Sequence, residues 1–304
     1  MRLGIFGIGA IGGLIANRLS GCKPVLFPGP DSIKALDEGL ILHDTEGAIS
    51  WLGPEGFEVG DESTSIDAAI VCTNSNSTLD VAQYCKSVLA DNGVALSLQN
   101  GLGHAECLAR QLGWNRVLAA STIHGAIRVG LNEMRWTGRG DIKLGRMNES
   151  SPDRGHHVVE DLIQLLQDAE LEPIWMEDMK QVIWSKLMIN VAINPLTAIT
   201  GVKNGSILEN PEMMGQADAL MTEAMIVARQ EGVDLDLDEM RGELRKVLKR
   251  TADNKSSMLQ DIMSGRATEI DSICGEVIER AERHGIQTPL NNMILAMVKA
   301  IQIH

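Results

Sequence analysis

The spacing of apolar and polar positions divides the chain into two regimes. In the first half, short apolar runs alternate with amphipathic stretches. Leu3–Phe6, Pro24–Phe27, Ala68–Cys72 and Val94–Leu98 read as buried strands, with helical periods over Leu14–Leu19 and Thr78–Leu89. Val117–Val129 and Glu133–Leu144 continue as strands with glycine-rich turns, and His157–Leu166 turns helical. From about Glu172 onward the period is helical and strand signals fade. Val182–Leu196 is apolar at nearly every position, which describes a helix buried on most of its circumference. Gly201–Pro211 reads as a loop, Glu212–Gln230 as a helix and Leu237–Ile262 as mainly helical. Gly265 breaks the chain, Thr268–His284 resumes the helix, and Pro289 precedes a last amphipathic helix running nearly to His304. Methionines concentrate in this half, at helical spacing suited to flexible core packing.

Polar residues inside these patterns mark candidate chemistry. Lys186, Asn190 and Asn194 recur every four residues on the apolar helix, so they form one stripe. A lysine and two amides there need partners, a ligand or a wet cleft, and the stripe reads as a site wall rather than a solvated face. Near the start, the first strand runs into Gly7-Ile8-Gly9-Ala10-Ile11-Gly12 and then a helix, the strand–G-x-G-x-x-G–helix context of a dinucleotide-binding fingerprint. Gly7 permits the tight turn, Gly9 lets backbone approach a pyrophosphate, and Gly12 lets helix and strand pack closely. The helix N-terminus supplies N–H groups and a partial positive charge. The fold expected is therefore an α/β Rossmann-type N-terminal domain, residues 1–171, followed by an all-α C-terminal domain, residues 172–304.

After the second strand, an acid would favour NAD and an arginine NADP. Phe27-Pro28-Gly29-Pro30-Asp31 supplies neither at the expected place, which leaves cofactor choice open. Asn74 and Asn100 follow the strands ending near Cys72 and Leu98, where ligands of open α/β sheets collect. Asn74 also suits a cap or turn, and Asn100 an Asn-Gly turn. His124, among small and apolar neighbours, reads as structural. Asn254 and Ser257, three apart, share one side of a predicted helix. Glu269, in the first turn of the next helix, either serves a site or favours the helix dipole alone.

Composition narrows the classes. A formal charge of −14 over 304 residues argues against non-specific nucleic-acid or anionic-membrane binding. Five scattered cysteines with no C-x-x-C fit a reducing cytosol and give no metal site. Met1-Arg2 leads straight into a strand, and no apolar run reaches membrane-spanning length, so a cytoplasmic monomer or homodimer is expected.

Trp184-Ser185-Lys186-Leu187 with Asn190, then Ile193-Asn194-Pro195-Leu196-Thr197-Ala198, carry a resemblance to ketopantoate reductase (2-dehydropantoate 2-reductase). Asn254-x-Ser256-Ser257-Met258-Leu259-Gln260-Asp261, Thr268-Glu269-Ile270-Asp271, the glycine fingerprint and Gln99-Asn100-Gly101 extend it over essentially the whole chain. The resemblance implies an oxidoreductase that reduces a 2-keto acid, ketopantoate, to pantoate in pantothenate biosynthesis, with NADP as cofactor and NAD as the alternative. It puts the catalytic pair on Lys186 and Glu269, with Lys186 as general acid. Substrate-lining residues fall on Asn100, Asn190, Asn194, Asn254 and Ser257. Cofactor contacts fall on Gly7, Ile8, Gly9, Ala10, Ile11, Gly12, Asn74 and Asn100. The chain departs from the pattern twice: Gly29 or a neighbour stands where the family commonly has an arginine, and Asn74 where it commonly has a lysine. A related dehydrogenase for another keto or hydroxy acid, and a non-catalytic nicotinamide-nucleotide sensor, remain the alternatives.

Overall fold

A computed structural model describes residues 1–30, 32–147 and 155–302. Asp31, just after the second strand, and His304, near which the last helix is expected to end, lie outside them. The chain forms two compact units. The first comprises Met1–Gln99 and His104–Met179; the second comprises Asn100–Gly103 and Lys180–His304.

The first unit contains, in chain order, β1 (Leu3–Phe6), α1 (Ala10–Arg18), β2 (Val25–Phe27), β3 (Leu40–His43), β4 (Ile49–Leu52), β5 (Glu58–Val59), β6 (Ile66–Val71) and α2 (Thr78–Val88). It continues with β7 (Leu89–Ser97), α3 (His104–Leu112), β8 (Val117–Thr122), β9 (Gly125–Arg128), β10 (Glu133–Gly138), β11 (Ile142–Gly145), α4 (His156–Asp168) and β12 (Pro173–Trp175). An eight-stranded sheet runs β12-β11-β8-β7-β6-β1-β2-β5. Its centre is parallel, because β1 pairs that way with β2 and β6, and β7 with β6 and β8. The central strands are apolar on both faces; Ile5, Ile70 and Leu96 are fully buried, as a sheet covered on both sides requires.

The structure corrects several expectations. A second sheet, β4-β3-β10-β9, has no counterpart in the sequence pattern. The run 117–129 is two strands divided between the sheets, with His124 at the crossing, and 133–144 divides likewise. Neither switch alters the apolar alternation, so periodicity cannot register it. Helical periods are expected after Glu172, yet Ile142, Lys143 and Leu144 pair with Pro173, Ile174 and Trp175. His124 is structural: its Nδ1 accepts from the Gly140 N–H at 3.0 Å, its Nε2 faces the Leu171 carbonyl at 3.2 Å, and its ring stands edge-on to Trp136.

The second unit is helical: α5 (Met179–Thr200), α6 (Gly205–Glu209), α7 (Pro211–Gln230), α8 (Leu237–Arg250), α9 (Ser257–Met263), α10 (Glu276–Arg283) and α11 (Pro289–Ile301). The stretch 201–211 thus contains a short helix, and 237–262 is broken by a loop that holds Asn254. Asn254 therefore does not share a helix with Ser257. Thr268 and Glu269 precede the helical turns, and Asp271–Gly275 is a π turn leading into α10. At 22 residues and mean hydropathy 1.4, α5 is long and apolar enough to cross a membrane, contrary to the sequence expectation, although 61% of its most apolar window is buried within the protein. Trp184, Leu187, Met188, Val191 and Ala192 supply that burial. Met188, Met221, Met225 and Met258 join the same core, whereas Met263, Met293 and Met297 are exposed.

One long-range cap fastens this unit. Thr288 precedes α11 but makes no side-chain cap. Glu223 of α7 does so instead, accepting from the N–H groups of Leu290 and Asn291 at 3.0 Å each and from Asn291 Nδ2 at 2.9 Å. A carboxylate here satisfies otherwise orphaned donors and opposes the positive end of the helix. Glu223→Ala is expected to destabilise the protein by about 1–3 kcal/mol, and Glu223→Gln by less, as read from the urea midpoint at constant slope.

Candidate active site

At the carboxyl ends of β1 and β6 the glycine turn is fixed by close approaches. Gly7 has φ +85°, and a Cβ there would lie 2.8 Å from the Thr73 backbone. A Cβ on Gly12 would fall 1.9 Å from the Gly7 carbonyl oxygen, so helix α1 starts directly against the turn. Gly9 is different: a Cβ would meet nothing within 4 Å, which leaves its backbone facing open space. Gly9 caps α1 without a side-chain bond, and the first turn holds no acid. Ile8 is buried in the core, so only its backbone can serve a ligand, while Ala10 and Ile11 are partly exposed. Open backbone at Gly9 beside an uncapped helix start fits a pyrophosphate, the anion this geometry receives.

A buried polar network supports the loop beside that turn. Gln99 Nε2 donates to the Thr73 carbonyl and to Thr78 Oγ1 at 2.9 Å each, and Thr78 Oγ1 meets His104 Nδ1 at 3.0 Å. Ser97 Oγ donates to Gln99 Oε1 at 3.3 Å. Thr73 is the residue that closes on Gly7, so Gln99 positions the turn from the neighbouring strand. The sequence marks Gln99 only as part of Gln-Asn-Gly; its one signal is an amide at the end of an apolar strand. Asn74 is exposed and opens the turn through its carbonyl, which accepts from the Ser77 N–H at 3.1 Å, while its side chain makes no cap.

In the helical unit, three of the candidate residues meet. Lys186 Nζ donates to Asn100 Oδ1 at 2.8 Å, and Asn100 Nδ2 donates to Glu269 Oε2 at 3.1 Å. One amide thus accepts from the ammonium and gives to the carboxylate. Asn100 is held for this by its neighbours. Gly101 has φ +95°, a Cβ there would lie 2.4 Å from the Ser272 carbonyl, and Leu102 N–H donates to that carbonyl at 2.9 Å. The Asn-Gly turn and the bridge from Lys186 to Glu269 therefore coexist.

Burial pushes the Glu269 carboxyl up to about 7, and the nearby Asp261 charge acts in the same direction. The Asn100 hydrogen bond and the Lys186 charge oppose the rise. Burial likewise raises Asp261 above the usual carboxylate range, against the pull of Arg266. Glu269 is consequently a group that exchanges its proton near neutrality.

Asn190 and Asn194 follow Lys186 along α5. Asn194 is 7% exposed. Ser257 and Asn254 are exposed at the approach to α9. The capping role there belongs to Ser256, whose Oγ accepts from the Leu259 N–H at 3.1 Å and meets Thr197 Oγ1 at 2.6 Å. That last bond ties the start of α9 to α5, three residues beyond Asn194. The structure thus joins Lys186, Asn100 and Glu269 directly. Asn190 and Asn194 are set on the same helix, and Ser257 lies beside the residue bonded to it; Asn254 remains in the preceding loop.

Comparison with known proteins bears on this arrangement. The family described as ketopantoate reductase PanE/ApbA matches residues 3–149, and its C-terminal counterpart matches residues 178–302. A 2-dehydropantoate 2-reductase from Archaeoglobus fulgidus is 32% identical over 99% of this chain and 98% of its own length. One from Pyrococcus horikoshii is 33% identical over 99% and 97% respectively. The crystal structure of a PanE/ApbA family ketopantoate reductase from Ralstonia eutropha superposes with a TM-score of 0.87 at 27% identity, covering 100% of this chain and 99% of that one. D-mandelate dehydrogenase with NADH and anilino(oxo)acetate shares the fold, with a TM-score of 0.91 at 21% identity and coverage of 100% and 98%. With both family halves matched along nearly its whole length, the chain belongs to the ketopantoate reductase family.

Proposed function

We propose that the protein reduces 2-dehydropantoate to pantoate, with a reduced nicotinamide dinucleotide as the hydride donor and Lys186 as the general acid. The observation that carries this reading is the chain of hydrogen bonds from Lys186 through Asn100 to Glu269. The names of the full-length relatives support the choice of keto acid. Backbone at Gly7, Gly9 and Gly12 and the start of α1 would hold the pyrophosphate. The bound nicotinamide supplies the hydride.

The protein's own groups supply the rest. Hydride addition to a ketone carbon leaves charge on oxygen, and the Lys186 ammonium both stabilises that charge and donates the proton completing the alcohol. Asn100 fixes the lysine by accepting one of its hydrogens. Glu269, near half-ionised at neutrality, would accept from a substrate hydroxyl in its charged form. Asn190, Asn194, Asn254 and Ser257 would offer uncharged donors to the substrate's carboxylate and hydroxyls. Asn74, in place of a lysine, removes one cation from the cofactor unit, which makes a panel of 2-keto acids the proper assay.

Turnover is read as loss of reduced-nicotinamide absorbance with 2-dehydropantoate and, alongside it, other small 2-keto acids. No oxidation with any of them, despite dinucleotide binding, overturns the reading. Lys186→Ala is expected to lose roughly 10²–10⁴ in kcat with dinucleotide binding retained; unchanged kcat rejects the acid role.

Glu269 also links the site to stability. Its folded pKa stands above the ordinary 4.5, so between 4.5 and about 7 the folded state holds more protons than the unfolded one. The stability gained from protonation is fully present below the lower value and is lost as pH rises through the upper. Glu269→Gln removes that dependence. It is expected to be more stable than wild type at pH 8, by about 3 kcal/mol, and to match it at pH 4, while its turnover falls about 10-fold or more. Thermal unfolding at the two pH values and steady-state kinetics check both parts.

A further inference from the structure

Residues 28–33, directly after β2, include no lysine or arginine that could meet a phosphate. The Gly7 N–H donates to the Phe27 carbonyl at 3.1 Å, so the end of β2 abuts the glycine turn. In a dinucleotide-binding fold this is where the 2′ position of the adenosine ribose is read. Here the chain continues Pro28-Gly29-Pro30. Neither proline has an N–H to offer. Gly29 is exposed, and a Cβ on it would meet nothing within 4 Å. Its carbonyl accepts from the Ser32 N–H at 2.9 Å, which occupies that donor. Ser32 itself is 7% exposed, and its hydroxyl points toward the Ile8 carbonyl at 3.5 Å. The first cation after the strand is Lys34, at the surface on the short 3₁₀ helix Ile33–Glu38.

A 2′-phosphate carries close to two negative charges at neutral pH and demands donors or cations in return. A ribose hydroxyl demands one hydrogen bond. The overall charge of −14 adds a field that opposes the phosphate further. We propose that Gly29 is a specificity-determining position and that, by what stands there, the protein takes NADH in preference to NADPH. The inference rests on the dinucleotide-dependent reduction proposed for this site and sharpens it. A Cβ placed at Gly29 meets no protein atom within 4 Å, so a substitution there starts from open space.

The test is direct binding, independent of any keto acid: titration of the wild-type protein with NADH and with NADPH, followed by fluorescence of the bound nicotinamide and by calorimetry. Wild type is expected to bind NADH about 10-fold or more tightly than NADPH, and Gly29→Arg to move that ratio toward NADPH by about 10-fold or more. Lys34→Ala is expected to change the ratio by less than about 2-fold, as for an exposed charge. Equal or tighter NADPH binding by wild type overturns the inference, as does a 10-fold loss of NADPH affinity in Lys34→Ala, on the scale a true phosphate contact would give. Because no substrate is present, failure to turn over 2-dehydropantoate leaves this result intact and bears on the substrate reading alone. Binding of neither dinucleotide overturns both.

Discussion

A single amide standing between an ammonium and a carboxylate governs the helical unit. Lys186 and Glu269 lie 83 residues apart in sequence, and both are partly buried. Placed side by side without an intermediary they would form a closed ion pair. Asn100 keeps them linked and apart. Its carbonyl oxygen takes one hydrogen from the lysine and its NH₂ gives one to the glutamate. Burial raises the carboxyl to about 7, and the hydrogen bond from Asn100 and the charge of Lys186 hold that rise down.

The amide can hold that position because of the backbone on either side. Asn100–Gly103 belongs to the helical unit although the chain before and after it belongs to the sheet unit. Gly101 turns through positive φ, and Leu102 docks its N–H on Ser272, inside the π turn. A π turn shifts the helical register by one residue, which changes which carbonyls remain available for outside donors. Ser272 is one of those used. The local irregularity in the helix and the glycine in the loop are thus two halves of one contact.

In the sheet unit, backbone rather than side chains does the equivalent positioning. Gly7 and Gly12 close on Thr73 and on each other at distances no Cβ would permit, while Gly9 stays open to solvent. Gln99 holds Thr73 from the end of β7 through two hydrogen bonds. The turn is consequently tightly packed on its protein side and open at Gly9. Beyond β2 the backbone decides again, since two prolines and a glycine set which donors exist at all.

The sequence by itself determined the elements whose cause is local. Glycine spacing marked the fingerprint, because the positive φ at Gly7 and the close approach at Gly12 admit only glycine. Apolar runs fixed β1, β6 and the body of α5, and the four-residue recurrence placed Lys186, Asn190 and Asn194 on one helix, because periodicity arises from the rise and twist of the chain itself. The tertiary structure alone decided what depends on partners distant in sequence. The second sheet, the division of 117–129 between sheets and the pairing of β12 rest on strand neighbours that no local pattern encodes. The loop position of Asn254, the capping of α9 by Ser256 and the reach of Glu223 to α11 belong to the same class. The bridge through Asn100 is its clearest member: hydrogen-bond geometry between residues 86 and 169 positions apart is fixed by packing, and packing is settled only when the whole chain has folded.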